Sequence, residues 1–302
     1  MTEIIKEYLK SVQDDFDEAY FNEVILMIYR YVACCFAMHG VSALLSSLFL
    51  DYYQREETVL KKKGRPDVIL SGRRKAWATW CKRVTWDYTT NSAVYASAVF
   101  CFYMSVVLEN YGSLESRWVT TSFATKHGIS LHVASSIYET ICYALSGKEF
   151  VFYLHHVVTM GCCASMLLTG RGSFWCCVLG LVEGSNVPLC FLTVMTYIPS
   201  LKASNLFVIN GALLWIAYVV LRIPIPVAMY YLADDLRSHS KAAGGPAWVF
   251  SNEETNTAWI WFLFTSGTFL WVLSMYWFKK ITDGILKALG WSSTKKPKTK
   301  EN

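Results

Sequence analysis

The chain has 302 residues, of which 54% are hydrophobic and only 17% carry a charge, and its mean hydropathy is positive. This composition excludes an ordinary soluble globular protein and indicates a membrane protein with several spanning segments. The net charge of +5 is not accompanied by any module that stacks on bases or reads a groove, so no nucleic-acid partner is expected.

Seven apolar segments are long enough to cross a bilayer, which requires roughly 20 apolar residues per helix. They cover residues 24–50, 92–109, 127–146, 149–169, 173–197, 205–232 and 257–278. The third, fourth and fifth segments are joined by connections of only a few residues, which predicts tight helical hairpins. The predicted fold is therefore an all-α, polytopic transmembrane bundle of about seven spans.

The segment before the first span is acidic and lacks the features of a cleaved signal peptide. Lysine and arginine are distributed unevenly between the two sides of the predicted bundle. The side that carries residues 51–91 and the C-terminal tail holds nineteen of them, and the other side holds seven. The positive-inside rule therefore predicts a luminal N-terminus and a cytosolic C-terminus.

A further helix, outside the membrane spans, is predicted in the basic stretch that follows the first span. Trp77 and Trp80 recur at helical spacing there, and Lys82 and Arg83 supply positive charge around them. This pattern is typical of a helix that lies on an anionic leaflet. The simpler interpretation is a stop-transfer flank with aromatic anchors. The alternative is that Lys82 and Arg83 bind the phosphates of a lipid head group or of an acyl-coenzyme A.

Most of the ten cysteines lie within apolar segments, where a small apolar side chain packs between helices. No cysteine or histidine spacing is typical of zinc binding, so neither a metal nor a resident cofactor is expected. Cys163 and Cys176 flank a short predicted luminal turn and are the one pair for which a disulfide is worth testing.

Polar residues within the spans are the first place to look for function, because each is costly in hydrocarbon unless it faces a cavity or a partner. They are Arg30 and His39 in the first span, His132 and Glu139 in the third, His155 and His156 in the fourth, Glu183, Ser185 and Asn186 in the fifth, and Arg222 in the sixth.

The adjacent histidines His155 and His156 lie at the same predicted depth as Glu139, and a short turn joins their helices. Glu139 is therefore expected to orient one imidazole. Neighbouring residues on a helix point about 100° apart, so one histidine is expected to line a site and the other to brace it. Histidine has a pKa near neutrality, which suits proton transfer or attack on an acyl carbonyl. These three residues form the predicted catalytic site.

Four further residues are predicted to contact a lipid or an acyl chain in the same zone of the membrane: His39, Glu183, Asn186 and Arg222. Glu183 and Arg222 lie at similar depths, which predicts an intramembrane ion pair. The alternative for the two adjacent histidines is that they hydrogen-bond between helices and only hold the bundle together.

The tail ends in KTKEN, with Lys298 and Lys300 at the fifth and third positions from the end. This resembles the K-x-K-x-x signal by which COPI-type retrieval machinery returns proteins to the endoplasmic reticulum. The alternative is a solvated lysine-rich tail. The predicted location is the endoplasmic reticulum membrane.

Five short blocks are informative because they follow one another in a fixed order. They are Trp80 and Arg83 in WCKR, Tyr138 and Glu139 in IYET, the histidines of YLHHVV, residues 183–189 in VEGSNVPL, and Arg222 with Pro224 in VVLRIPIP. In this order they resemble the TLC-domain family, which is named for a translocating-chain-associating membrane protein, the longevity-assurance ceramide synthases and a ceroid-lipofuscinosis protein.

The resemblance divides the chain into four predicted regions. Residues 1–23 form a luminal, acidic amphipathic segment, residues 24–76 the first span and a basic cytosolic loop, residues 77–278 the TLC-like membrane domain, and residues 279–302 a cytosolic lysine-rich tail.

What the resemblance implies is lipid metabolism in the endoplasmic reticulum. Ceramide synthases carry a His-Asp element and further acidic residues downstream of the histidine pair, where this chain has VEGSNVP. The chain therefore resembles the TLC-domain-containing subgroup, which is tied to membrane lipid composition, more closely than the synthases.

The sequence is compatible with three functions. The first is a lipid-homeostasis protein with a lipid or acyl-chain site at the histidine pair. The second is an N-acyltransferase of ceramide-synthase type that joins a fatty acyl-CoA co-substrate to a sphingoid base. The third is a receptor or a transporter, which only the span count favours. Enzymatic activity, substrate chain length and oligomeric state are left open.

Overall fold

The computed structural model describes residues 18–62, 90–108, 111–119, 121–146, 150–196, 199–242 and 253–288. Within these ranges the chain consists of helices joined by short turns, which confirms the predicted all-α membrane bundle. The helix predicted around Lys82 and Arg83 and the tail that carries Lys298 and Lys300 lie outside the described residues.

The helices are α1 (Glu18–Lys62), α2 (Thr90–Leu108), α3 (Leu114–Val119), α4 (Phe123–Ser146), α5 (Phe150–Thr169), α6 (Ser173–Gly180), α7 (Asn186–Thr196), α8 (Pro199–Lys202), α9 (Asn205–Ala217), α10 (Ile225–Ala242) and α11 (Glu253–Ala288). A 3₁₀ turn, Leu181–Ser185, connects α6 to α7, and a π turn, Tyr218–Arg222, connects α9 to α10. The seven predicted spans correspond to α1, α2, α4, α5, α6 with α7, α9 with α10, and α11.

The end of the first span differs from the sequence prediction. The first span was expected to end near residue 50 and to pass into a loop, but α1 continues to Lys62. The residues beyond 50 contain no glycine or proline before Gly64, so nothing in the sequence ends the helix earlier. The first part of the predicted basic loop is therefore helical.

Five stretches of helix are long and apolar enough to cross a membrane, judged by length and composition. They are Glu18–Val41, Phe150–Thr169, Ser173–Thr193, Asn205–Ser238 and Asn256–Lys287, and a shorter apolar stretch, Ala93–Val107, lies in α2. These helices support a multi-pass membrane protein.

Helix α4 corresponds to the third predicted span but is too polar to belong to that set. It packs against α1, α2 and α5, and its polar side chains, among them His132, Ser135 and Glu139, are buried. Polar groups are tolerated at membrane depth when they face protein instead of lipid. Helix α4 is therefore the central helix of the bundle, and its polar residues are directed at its neighbours.

The two ends of the bundle are named here by the chain ends nearest to them. The N side holds Glu18, Gly172 and the start of α11, and the C side holds Ser146, Lys202 and the end of α11. Most of the large apolar cluster lies toward the N side, where residues of α1, α2, α4, α5, α6, α10 and α11 pack together.

An ion pair fixes the short helix α3 across the N side. Nε and Nη2 of Arg117 donate to the two carboxylate oxygens of Asp235 on α10, at 2.5 and 2.8 Å. Nε1 of Trp175 on α6 donates to the same carboxylate at 3.1 Å. The hydrogen bond with Asp235 raises the pKa of Arg117, so the guanidinium stays charged. The connection between α2 and α4 is thereby held over α6 and α10.

Two glycines on different helices enclose the fully buried ring of Phe102 on α2. A Cβ added at Gly180 on α6 would lie 2.5 Å from Cε2 of Phe102, and a Cβ added at Gly128 on α4 would lie 2.9 Å from its Cδ1. Small residues at such crossings allow helices to approach closely in membranes. The ring cannot move away from one glycine without meeting the other.

We expect Gly180→Ala to destabilise the protein, because the added methyl group overlaps a ring that has no room to shift. Overpacking of this kind costs about 1–3 kcal/mol. Thermal melting in detergent, followed by size-exclusion chromatography of a fluorescent fusion, measures the effect. Gly211→Ala is the matched control, since a Cβ there meets nothing within 4 Å. Equal melting temperatures for the two variants would contradict the tight packing of Phe102.

Two irregular turns lie in the interior of the bundle and contact each other. In the π turn, the backbone N–H of Ile223 donates to the carbonyl of Tyr218 at 3.0 Å, five residues earlier in the chain. Pro224 follows directly and has no N–H to donate. The 3₁₀ turn Leu181–Ser185 packs against this π turn. Irregular turns of both kinds within helices often mark functional sites.

Candidate functional site

The centre of the site is a buried contact between α4 and α5. Nε2 of His156 lies 3.0 Å from Oε2 of Glu139, and the two residues are 6% and 2% exposed. The two residues can meet because they lie at the same depth on two helices that follow each other closely in the chain. When Nε2 carries the proton it donates to the carboxylate, and Nδ1 keeps a lone pair that can accept a proton from a ligand.

Two tyrosines complete the surroundings of Glu139. The hydroxyl of Tyr95 on α2 donates to Oε1 of Glu139 at 2.6 Å, and the hydroxyl of Tyr143 donates to Oε2 at 3.5 Å. The Tyr143 ring also packs on the imidazole of His156, with 5.2 Å between the ring centroids. Glu139 is thus held by groups from α2, α4 and α5, which fixes the direction in which its carboxylate faces His156.

His155 has a different environment from its neighbour. Its ring centroid lies 5.2 Å from that of His156 and 5.4 Å from that of Trp277 on α11. Its Nδ1 is buried and has no hydrogen-bond partner among the described residues. Glu139 contacts His156, whereas Nδ1 of His155 has no such partner, and both histidines line the cavity described below. That one histidine lines a site and the other braces it stays a prediction.

A second polar cluster lies around Arg222, in the π turn. Its guanidinium donates to Oγ of Ser185 at 2.7 Å, to Oγ of Ser274 at 3.1 Å and to Oδ1 of Asn186 at 3.1 Å. The Nδ2 group of Asn186 donates in turn to the carboxylate of Glu183. The predicted direct ion pair between Glu183 and Arg222 is wrong, because the Asn186 amide lies between them and bonds to both.

Two cavities meet at these polar residues. The first has a volume of about 100 Å³, lies toward the N side and has a largely apolar lining that includes Met166, Leu179 and Leu263. The second has a volume of about 370 Å³, lies toward the C side and contains Tyr95, Glu139 and His156 in its lining. His155 and Arg222 line both cavities. A ligand that occupied both would contact these two side chains.

The profile of the TLC domain, the family of TRAM, LAG1 and CLN8, matches residues 68–283, which is most of the chain. The chain belongs to the TLC-domain family. A search of curated proteins and a search of solved structures each found no match.

Within the TLC domain, the structure brings together blocks that are far apart in the sequence. The IYET and YLHHVV blocks meet in the Glu139–His156 contact, and the VEGSNVPL and VVLRIPIP blocks meet in the bonds that Arg222 makes to Ser185 and Asn186. Glu183 lines the first cavity, and Asn186 lines the second.

Among the residues that the structure describes, His39 is the predicted site residue that lines neither cavity. Its Nδ1 lies 2.7 Å from the hydroxyl of Tyr138, at the interface between α1 and α4, and it lines neither cavity. Depth along the membrane normal placed it correctly in height but not in direction around the bundle. Its environment is that of a histidine hydrogen-bonded between helices.

Several residues of the TLC-domain site were absent from the sequence prediction. Tyr95, Tyr143 and Ser274 carry hydroxyl groups that bond to Glu139 or Arg222, and Trp277 and Lys280 line the second cavity. Tyrosine, serine and tryptophan are common in membrane helices, so a search for charged groups passes over them. Lys280 lies just beyond the predicted end of the last span.

No disulfide links Cys163 to Cys176: both are buried, free thiols in the first cavity's lining. The described part of the chain also contains no group of three or more histidine, cysteine or acidic residues arranged to hold a metal ion.

Proposed function

We propose that this TLC-domain protein works in membrane lipid homeostasis in the endoplasmic reticulum and holds a lipid acyl chain in the cavities around His155, His156 and Glu139. The observation that carries the proposal is that His155 and Arg222 line both cavities. The first cavity is apolar and suits a hydrocarbon chain, whereas the second contains the polar groups that a lipid head or ester region needs.

The charge at the C side supports the same orientation of an amphipathic ligand. Lys280 is exposed, lines the second cavity and stacks its ammonium on the Tyr276 ring at 4.3 Å from the centroid. An ammonium group at a cavity mouth attracts an anionic head group. The head would then lie toward the C side, and the chain would extend past His155 toward the N side.

The location in the endoplasmic reticulum rests on the lysine distribution and on Lys298 and Lys300 in the tail. With these, the N side would face the lumen and the C side, with Lys280, the cytosol.

This topology makes a direct prediction. A glycosylation acceptor fused ahead of Met1 should be modified in microsomes, and the same acceptor fused after Asn302 should stay unmodified. Digestion with an endoglycosidase, followed by a gel-shift assay, measures both, and an acceptor on a known luminal protein is the positive control. Modification of the C-terminal fusion alone would reverse the proposed orientation.

A second candidate function is acyl transfer, and one observation favours it. Glu139 orients His156 inside the larger cavity, which is the arrangement of a general base held by a carboxylate. In this scheme the nitrogen of an amine attacks the thioester carbonyl of a fatty acyl-CoA. His156 accepts the amine proton, the C–N bond forms, and the C–S bond breaks to release the coenzyme A thiolate, which takes a proton. The products would be an amide and coenzyme A.

The proposal that a chain occupies the first cavity can be tested with a photoreactive, alkyne-tagged stearate. Leu270 lines that cavity, so Leu270→Trp should fill it and lower capture of the probe by about ten-fold or more. Val272, on the same helix, is 56% exposed, and Val272→Trp adds the same bulk outside the cavity. The purified protein in nanodiscs, labelled and separated on a gel, gives the readout.

Two outcomes would decide against parts of this scheme. If the two tryptophan variants capture the probe equally, the chain does not bind in the first cavity. Mass spectrometry of the wild-type reaction with palmitoyl-CoA and a sphingoid base separates the two functions, since an amide product and free coenzyme A support acyl transfer. Recovery of both lipids unchanged supports binding alone.

A further inference from the structure

The first cavity has a polar feature that binding of a plain hydrocarbon chain does not use. Nδ1 of His132, Nδ1 of His155 and Oγ1 of Thr159 are buried, and none of them has a hydrogen-bond partner among the described residues. All three residues line this one cavity. Ser130 and Trp271 also have unpartnered polar atoms in the described chain, but they line neither cavity.

Such atoms are costly to leave unsatisfied. A buried polar group without a partner has given up its hydrogen bonds to water and gained none in return. His132 and Thr159 are 3% and 9% exposed, so bulk water does not reach them freely. The cavity volume of about 100 Å³ is several times the roughly 10–15 Å³ that one water molecule requires, so the cavity has room for more than a single water.

The positions of the three atoms narrow the kind of group that would satisfy them. His155 and Thr159 are one helical turn apart on α5, and His132 faces the same cavity from α4. A neutral imidazole nitrogen is either a donor or an acceptor, depending on its tautomer, and a threonine hydroxyl is both. A ligand hydroxyl can donate one hydrogen bond and accept two, so it fits either tautomer. A carbonyl oxygen accepts only and would require donors.

We propose that the first cavity recognises a hydroxyl group carried on the hydrophobic part of a lipid, through His132, His155 and Thr159. The ligand class is an alcohol-bearing lipid, either a hydroxylated acyl chain or a sterol. This inference rests on the proposed function, because it names the lipid that the same cavities would hold. It assigns to Thr159 and His132 the selection of that lipid among the plain chains of the membrane.

Competition against the photoreactive stearate tests the proposal with the intact chain in nanodiscs. The competitors are stearate, 2-hydroxystearate, 12-hydroxystearate and cholesterol. For the wild type we expect at least one hydroxylated competitor to displace the probe at about five- to ten-fold lower concentration than its matched control, which is the value of one neutral hydrogen bond. Stearate is that control for the acids, and cholestane, added as a further competitor, is that control for cholesterol.

Thr159→Val is the decisive variant, because it removes the hydroxyl and keeps the shape of the side chain. We expect it to bring the displacement concentration of the preferred hydroxylated competitor to that of its matched control. Thr140→Val is the matched control. The hydroxyl of Thr140 already donates to the carbonyl of Ser136 at 2.7 Å, and this residue lines neither cavity.

The outcomes separate this inference from the proposed function. If stearate competes but no hydroxylated lipid is preferred, or if Thr159→Val weakens all competitors equally, the hydroxyl site is refuted and the acyl-chain site stands. That result would leave ordered waters as the partners of the three atoms. If no competitor displaces the probe from the wild type, both the hydroxyl site and the proposed function fail.

Discussion

Replacement of His156 by alanine is expected to abolish the function of the protein in cells while the protein still accumulates. His156 lines the larger cavity and faces Glu139 at 3.0 Å, so in the proposed site its loss removes a group that would touch the ligand and leaves the helix packing in place. If the protein transfers acyl groups, turnover should fall by about 10²–10⁴-fold, the range for a positioned general base. The measurement is the lipid profile of cells that lack the protein and are complemented with each variant.

Two further variants test the positioning of His156. Glu139→Gln keeps the size of the side chain but removes its charge, and Tyr95→Phe removes one donor to that carboxylate. We expect a graded loss of function, larger for Glu139→Gln. His127→Ala is the matched control, since His127 contacts Tyr31 at the N side and lines neither cavity. If function falls only in proportion to protein level across the series, these residues are interhelical contacts and not a site.

Replacement of Arg222 by methionine is expected to cause the largest loss of stability. The guanidinium is 2% exposed and bonds to three side chains on the 3₁₀ turn, α7 and α11. Its removal leaves those partners and the nearby Glu183 carboxylate without their positive counterpart inside the membrane. Each buried acceptor that is left without its donor costs about 1–3 kcal/mol, and more where the group is charged. The apparent melting temperature in detergent and the amount of protein in membranes should both fall sharply.

The double variant Arg222→Met with Glu183→Gln shows whether charge compensation is the cause. If it is, the double variant should be more stable than Arg222→Met alone, because the uncompensated carboxylate is gone. Arg30→Met is the control: Arg30 lies in α1 within a spanning stretch but is exposed, so its loss should change little. Losses from Arg222→Met and Glu183→Gln that simply add would show that the two groups do not compensate each other.

The heights of the functional residues could be predicted from the sequence because a helix rises by a fixed distance per residue. That rule placed Glu139 level with the histidine pair, and the short hairpin between α4 and α5 made their contact follow. The same rule brought Glu183 and Arg222 to one level but gave no direction around the bundle. It therefore could not show that the Asn186 amide lies between them, or that His39 faces α4 away from both cavities.

The geometry of the irregular turns could not be predicted from the sequence, for a different reason. Apolar patterns with Pro224 or Gly184 are compatible with several turn geometries, and packing against neighbouring helices decides between them. The polar partners Tyr95 and Ser274 were missed because hydroxyl groups are inexpensive in membrane helices and stand out only when a charge lies opposite. The order of the blocks identified the TLC domain, but the cavities depend on helix contacts that no single block encodes.

Because of the π turn at Tyr218–Arg222, the number of residues in this segment determines the direction in which Arg222 points. The Ile223-to-Tyr218 hydrogen bond accommodates one residue more than an α-helix would hold over the same rise. The insertion of one further residue between α9 and Arg222, wound as regular helix, would turn Arg222 by about 100° relative to α9. The guanidinium would then leave Ser185 and Ser274 although every polar residue of the site was still present. The number of residues between α9 and Arg222 therefore matters as much as the identity of the polar residues. Chimaeras that exchange α9 between members of the family would have to preserve the length of this stretch.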